Sequence, residues 1–361
     1  MKALVAHALN QIAVEDVRID PPRAGELLIR MGATGVCHSD LSVMNGTIPM
    51  ALPLVLGHEG AGVIEEVGEG VRGFTVGDHV VLSFVPACGS CHFCSRQQPF
   101  LCNIGNPGGT MLDGTMRVHL GDQDLRVMQY LGCMAEYAVV PAISAVRIDP
   151  SLPLDKAALV GCGVMTGVGA AIKTAKVTPG STAAVFGCGG VGLSVIQGCR
   201  LAGAKQIIGV DLSESKLKLA QEFGATHVLN ASSDPIGPIK ELTGGFGVDF
   251  AFEAIGVPQA MLQANASARR GGTVCIVGLG KLFEQVPLNA LLISVEAKKL
   301  IGSFYGDANF RVDMPMLLDL YRAGRLDLDR MVTRTYTIDE APQAFADLQA
   351  GLNARGVIVY R

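Results

Sequence analysis

Cys88, Cys91, Cys94 and Cys102 follow one another as C-x2-C-x2-C-x7-C, close enough for four thiolates to wrap one ion. Four thiolates make a closed tetrahedral shell, which is how structural zinc is held. Cys37, His58, Glu59 and Cys162 are scattered over more than a hundred residues and mix thiolate, imidazole and carboxylate. Two thiolates and one imidazole leave a fourth position open, which is how catalytic zinc is held. A chain with both sets reads as a zinc enzyme binding two zinc ions. An iron–sulfur reading of the four-cysteine set fits less well, because ferredoxin spacing brings the fourth cysteine sooner and follows it with proline. His92, inside the set, reads as solvated or packed. Cys133, Cys188, Cys199 and Cys275 lie in apolar stretches and read as small core hydrophobes.

A second constellation is glycine-rich. Gly187-Cys188-Gly189-Gly190-Val191-Gly192 matches G-x-G-x-x-G and directly follows the apolar run Thr182 to Phe186. The glycines allow a tight turn and let a pyrophosphate approach the backbone at the start of a helix, where the helix N-terminus favours its charge. Asp211 follows Gly192 at the end of the next apolar run, Ile207 to Val210. A carboxylate there can take both ribose hydroxyls and repel a 2′-phosphate, which selects NAD over NADP. Lys216 lies one turn into the following helix and can add a contact to the adenosine ribose, or be an ordinary surface lysine.

The elements that must carry these residues fall into two kinds. The first 160 or so residues are rich in Gly and Val, with short runs such as Glu26 to Arg30 and Gly62 to Gly68 bounded by Gly or Pro, the chemistry of strands and turns. From about Gly163 strand-like runs alternate with helical ones: Gly190 to Ala202, Gln206 to Val210, Ser213 to Phe223 with a serine N-cap, His227 to Asn230, Val248 to Glu253 and Thr273 to Val277. That alternation argues for an α/β doubly wound parallel sheet. After about Leu300 a helix over Phe310 to Ala323 and a strand over Gly356 to Tyr360 return to the first region. The expected division is a zinc-carrying domain from residues 1–163 and 301–361, with a cysteine lobe at about 86–104, and a nucleotide domain at 164–300.

Composition limits the alternatives. A chain of 361 residues is too long for one comfortable core, and 49% hydrophobic with 17% charged residues is ample for burial. The net charge of −4 and the lack of any long Lys/Arg run offer no footprint for nucleic acid or an anionic membrane. The opening MKALVAHALNQIAVEDV is interrupted by His7, Asn10, Glu15 and Asp16, which suits neither a signal peptide nor a spanning helix. A cytoplasmic location is the expectation, with metal binding or burial rather than a disulfide framework for the ten cysteines.

These motifs together resemble the zinc-dependent medium-chain alcohol dehydrogenases. G-V-C-H-S-D around Cys37, G-H-E-G-A-G around His58, the four-cysteine lobe, G-C-G-V-M-T-G around Cys162 and V-F-G-C-G-G-V-G-L-S-V-I-Q-G-C carry the likeness over essentially the whole chain. The resemblance implies a β-rich GroES-like catalytic domain and a Rossmann domain. It implies Cys37, His58 and Cys162 as catalytic zinc ligands, Glu59 as a carboxylate that replaces water during exchange, and Asp40 as the partner of the His58 imidazole. It makes Cys88, Cys91, Cys94 and Cys102 the structural zinc ligands. Thr166, Val277 and Leu279 fall at the nicotinamide side, and Arg355 and His38 on pyrophosphate positions, His38 being a weaker anion anchor than arginine.

By the same resemblance zinc lowers the pKa of a bound hydroxyl, hydride passes to the nicotinamide, and Ser39 hands the proton towards the cofactor ribose. Where several relatives finish that relay with a histidine, this chain has Leu41 and Ser42. Pocket positions Ile48, Phe84, Leu279, Leu300 and Met128 are all apolar and suit aliphatic, allylic or benzylic primary alcohols. A glutathione-dependent formaldehyde dehydrogenase would place charged residues near Ile48 and Asn106, and polyol dehydrogenases commonly lack Cys162, so these are alternatives. A non-catalytic nucleotide-binding relative is a third. A long segment between Cys102 and Cys162 goes with dimers in this family. The apolar segments Thr273 to Leu279 and Val286 to Leu292 are the expected contact of a homodimer, favoured over a tetramer.

Overall fold

The computed structural model describes residues 1–105 and 108–360. It divides into two compact units: Met1–Cys162 with Asn309–Gly324 and Leu328–Arg361, and Gly163–Ala308 with Arg325–Asp327. The second unit therefore runs on past residue 300, and the chain returns to the first at Asn309. Among the described residues no single helix is long and apolar enough to cross a membrane.

The first unit is β-rich because its sequence alternates and is cut repeatedly by turn residues. Its organising element is the strand Glu26–Val36, whose inward residues Leu27, Ile29, Met31 and Ala33 are buried. Three other strands pair antiparallel with it: Gly60–Val67, Tyr137–Pro141 and Arg355–Val359. The last pairing sets Gly356 opposite Val36, so the two ends of the unit share one sheet. Beyond Gly60–Val67 lie His79–Leu82 and Ala145–Arg147. The opening segment forms an antiparallel hairpin, Lys2–Ala8 with Gln11–Asp16. The short helix His38–Met44 begins directly after Cys37, and the helix Phe310–Arg322 returns the chain to this unit.

The second unit is a six-stranded parallel sheet in the order 227–230, 206–211, 182–186, 248–253, 268–276, 299–302. Thr182–Phe186 is central and buried along its whole length, as a strand covered by helices on both faces must be. From it the chain winds outward to one side through 206–211 and 227–230, then crosses to the other at 248–253. The crevice at that reversal, at the carboxyl ends of the strands, is where such sheets bind ligands. Two expectations need correction. The strand Ala268–Ile276 is not a free edge, because Lys299–Gly302 pairs along its outer side. Ser213 stands at the N-cap of the helix Glu214–Glu222, but its side chain makes no capping bond and pairs instead with Ser215 Oγ at 2.8 Å.

Candidate metal centres and dinucleotide site

In the first unit the ligand atoms of Cys37, His58, Glu59 and Cys162 lie within 4.8 Å of one another, and all four residues are buried. They arrive from three different elements. Cys37 precedes the helix His38–Met44, His58 and Glu59 lead into the strand Gly60–Val67, and Cys162 ends the turn Ala158–Gly161. Asp40, fully buried, orients the imidazole. Its Oδ1 accepts the Gly57 N–H at 3.0 Å and faces His58 Nδ1 at 3.2 Å. A carboxylate on Nδ1 leaves Nε2 to aim elsewhere, and His58 Nε2 is buried with no hydrogen-bond partner. Phe84 packs edge-on to the ring with centroids 5.5 Å apart.

The electrostatics point the same way. The hydrogen bond between the two thiols holds Cys37 well below the ordinary thiol value, with burial opposing and His58 assisting. The same bond and burial push Cys162 well above it. Both thiols can ionise together only beside a cation. Burial works against the His58 imidazolium, yet Asp40 and Cys37 raise its basicity. Burial lifts Glu59 to about 7 while Arg355 pulls it down. Two facing thiols, the Glu59 carboxyl and an orphaned imidazole nitrogen form a donor set that fits a divalent zinc ion.

Arg355 lies beside Glu59. Its guanidinium is 4% exposed and ion-paired with Glu59, with Val36 O at 3.5 Å. A buried cation needs a buried anion, and Glu59 supplies it. His38 is exposed at the start of its helix, and Ser39 Oγ lies 3.8 Å from Cys37 Sγ. Ile48 is half-buried against a core cluster that includes Met128, itself only 2% exposed. Met128 is thus part of the packed interior. Asn106 lies outside the described residues.

The second cysteine set also closes. The sulfurs of Cys88, Cys91, Cys94 and Cys102 lie within 4.8 Å of one another, with Cys102 to Cys88 at 3.5 Å and Cys91 to Cys102 at 3.8 Å. Backbone N–H groups aim at them, from Cys91 to Cys88 Sγ at 3.3 Å and from Cys88 to Cys102 Sγ at 3.4 Å. Such amides bring Cys91 down to about 6, whereas burial drives Cys94 up to about 12. Four thiolates this close repel one another unless a cation lies between them, so this set fits structural zinc as well. His92 is not among the four; its Nδ1 meets Arg96 at 2.9 Å. The other four cysteines are buried and free.

The dinucleotide motif lies within the second unit. Gly187 turns at φ 92° straight after the central strand, Gly189 caps the helix Gly190–Leu201, and a side chain on Gly192 would collide with the Gly187 carbonyl. Val191 is half-buried in the first turn. Asp211 ends its strand with Oδ2 accepting the Cys188 N–H at 2.8 Å and Oδ1 accepting the Ser213 N–H at 2.9 Å. The carboxylate is thereby fixed beside the glycine loop. Lys216 is near enough to act electrostatically on Cys188, against the larger effect of burial. Thr166 sits half-buried in the helix Gly163–Gly169, which packs on the glycine-loop helix through Gly167. Val277 is buried, while Leu279 and Leu300 are 57% and 49% exposed. The sequence reading passed over Leu212 and Ile255, exposed apolar side chains just beyond two of the strand ends flanking the crevice. Their signal was an apolar residue directly after, or two residues after, the strand's terminal acid.

Two family models match the chain: an alcohol dehydrogenase GroES-like domain over residues 23–150 and a zinc-binding dehydrogenase over residues 190–322. A putative alcohol dehydrogenase D of Mycobacterium tuberculosis is 40% identical over 99% of both chains. An NDMA-dependent alcohol dehydrogenase of Amycolatopsis methanolica is also 40% identical, over 99% of this chain and 98% of its own. The benzyl alcohol dehydrogenase structure from Acinetobacter calcoaceticus matches with TM-score 0.94 at 33% identity, over 100% of this chain and 99% of that one. A putative zinc-binding dehydrogenase from Sinorhizobium meliloti, solved with NADP bound, matches with TM-score 0.83 at 29% identity, over 99% of each chain.

Proposed function

Because this chain belongs to the zinc-dependent medium-chain alcohol dehydrogenase family, we propose that it oxidises primary alcohols, aliphatic, allylic or benzylic, to aldehydes with NAD, and catalyses the reverse reduction. The observation that carries this is the buried group of Cys37, His58 and Cys162 with the imidazole Nε2 turned inward and unpartnered. Zinc held there supplies Lewis-acid polarisation of the substrate hydroxyl. Asp40 fixes the imidazole, and Arg355 neutralises Glu59 beside it. Ser39 Oγ, next to Cys37, is the nearby hydroxyl that can relay the substrate proton, accepting it while passing its own on towards the cofactor ribose.

NAD rather than NADP is supported by Asp211, whose fixed carboxylate would meet a 2′-phosphate with like charge. The Acinetobacter relative's name supports a benzylic alcohol within the range, and the aromatic edge of Phe84 against His58 supports an apolar substrate. Steady-state rates with a panel of primary alcohols and both cofactors, with polyols and the glutathione adduct of formaldehyde included, test the reading. Turnover confined to polyols or to the adduct would sink it. A homodimer is part of the same proposal, supported by Leu291, Leu292, Ile293 and Val295, all exposed on and around the helix Ala290–Val295 of the second unit.

A further inference from the structure

The strand Val248–Glu253 reads V-D-F-A-F-E, and its final acid is as buried as the phenylalanine before it, both at 0% exposure. A carboxyl at that depth must have work to do among its neighbours. Oε1 of Glu253 accepts the N–H of Ile255 at 2.8 Å and of Gly256 at 2.7 Å. Its main-chain oxygen accepts the N–H of Val277 at 2.8 Å and of Gly278 at 3.0 Å. Oε2 is buried with no well-formed hydrogen bond. One residue therefore ties the turn leaving its own strand to the turn leaving the neighbouring strand Ala268–Ile276. The next residue, Ala254, donates its N–H to Phe186 O at 2.9 Å, at the entrance to the glycine loop.

The two turns are pressed together over this carboxyl. A side chain on Gly278 would come 2.7 Å from Glu253 Oε2, and one on Gly256, at φ +90°, would strike the Leu279 backbone. Burial makes Glu253 a weaker acid than usual, partly offset by the surrounding amides of Gly256, Ile255, Val257 and Gly278. From the clamped turns Ile255 and Leu279 project outward at 51% and 57% exposure. Exposed apolar side chains on a backbone braced from beneath are how a ligand wall is built. These turns lie across the central strand from Asp211, on the opposite half of the crevice.

We propose that Glu253 is a positioning residue which presets the turns at Ile255–Gly256 and Val277–Leu279 for the nicotinamide half of the cofactor. It touches no reacting atom, and the proposal rests on the nicotinamide reading given above. The test titrates the full-length zinc-loaded protein and the variants Glu253→Ala, Glu253→Asp and Glu253→Gln calorimetrically with NADH and with ADP-ribose, which lacks the nicotinamide. Glu253→Ala should raise the Kd of NADH by at least about tenfold and change that of ADP-ribose by less than about twofold. Glu253→Asp, too short to reach both amides, should show the same split at smaller amplitude and carries the test if the alanine variant does not fold. Glu253→Gln keeps the Oε1 acceptor and should stay within about threefold of wild type for both ligands. Equal weakening of both ligands, or an unchanged NADH affinity, overturns the proposal and leaves the cofactor reading standing. A wild-type protein that binds neither ligand overturns both.

Discussion

Cys162 ends a turn in which Ala158, Leu159, Val160 and Gly161 are all buried, and its thiol faces Cys37 across the site. Its thiol is thus placed to hold the ion, and truncation to alanine removes only one sulfur atom. Cys162→Ala should remove one zinc per subunit and bring alcohol oxidation to background, with the melting temperature of the protein close to that of wild type. Metal analysis and calorimetry on the same sample read both, and full zinc content in the variant would refute the assignment. Asp211→Gly should bring a NAD preference of more than about tenfold down towards parity, a change of roughly 1.4 kcal/mol or more. Equal wild-type rates with the two cofactors would remove its basis. The four cysteines of the lobe were legible because their type and close spacing declare thiolate chemistry locally, whereas Cys37, His58 and Cys162, spread over more than a hundred residues, were brought together by the family resemblance. The resemblance makes Arg355 a pyrophosphate contact, and its ion pair was not legible. Its partner Glu59 lies 296 residues away, and no local pattern announces an ion pair across that distance.

Among the elements, the cysteine lobe has little apolar interior: of its four cysteines only Cys102 is buried. Such a lobe depends on its ion for order. Cys91→Ala should lower the melting temperature and make the chain near residues 86–104 sensitive to protease, in contrast to Cys162→Ala. Chelation of the wild-type protein should reproduce the effect. At the base of the parallel sheet, Asp249 Oδ2 accepts the Thr182 N–H at 2.8 Å and its hydroxyl at 2.9 Å, and Oδ1 accepts from Arg269 Nε at 2.7 Å. Burial opposes the charge, but these partners hold Asp249 below the usual carboxylate value. Asp249→Asn should cost about 1–2 kcal/mol near neutral pH. A depressed native pKa means this stabilisation is complete above the ordinary carboxyl pKa of about 4 and is lost as pH falls through the lower native one. Melting curves of variant and wild type should therefore converge in acid. The strand–helix alternation from Thr182 onward was readable because the apolar runs are short and punctuated by glycine. The pairing of Lys299–Gly302 onto the outer side of Ala268–Ile276 was not, because edge position depends on which strand arrives next and not on the strand itself.

At the scale of the whole molecule, a GroES-like domain and a Rossmann domain each keep their own core. Both ligand sets lie in the first, and metal analysis of carefully prepared protein should find about two zinc ions per subunit. One of the two edges of the second unit's sheet is Lys299–Gly302, with Phe283 91% and Leu291 69% exposed on the segment just before it. An uncovered apolar surface beside a free strand edge invites a second copy. Light scattering at micromolar concentration should give a mass of two subunits, and a mass near four would count against the dimer.

The sheet of the first unit joins Gly356 to Val36, and that join sets an order of events during synthesis. When the ribosome has made Cys162, the side chains of Cys37, His58 and Cys162 all exist, but Glu59 has no counter-cation and the end of the strand Glu26–Val36, from Ala33 to Val36, still lacks its partner on one side. The entire second unit is then translated before Arg355 and its strand emerge. The nascent first unit must wait, with its thiols in place and its sheet open, until the chain has returned to close it.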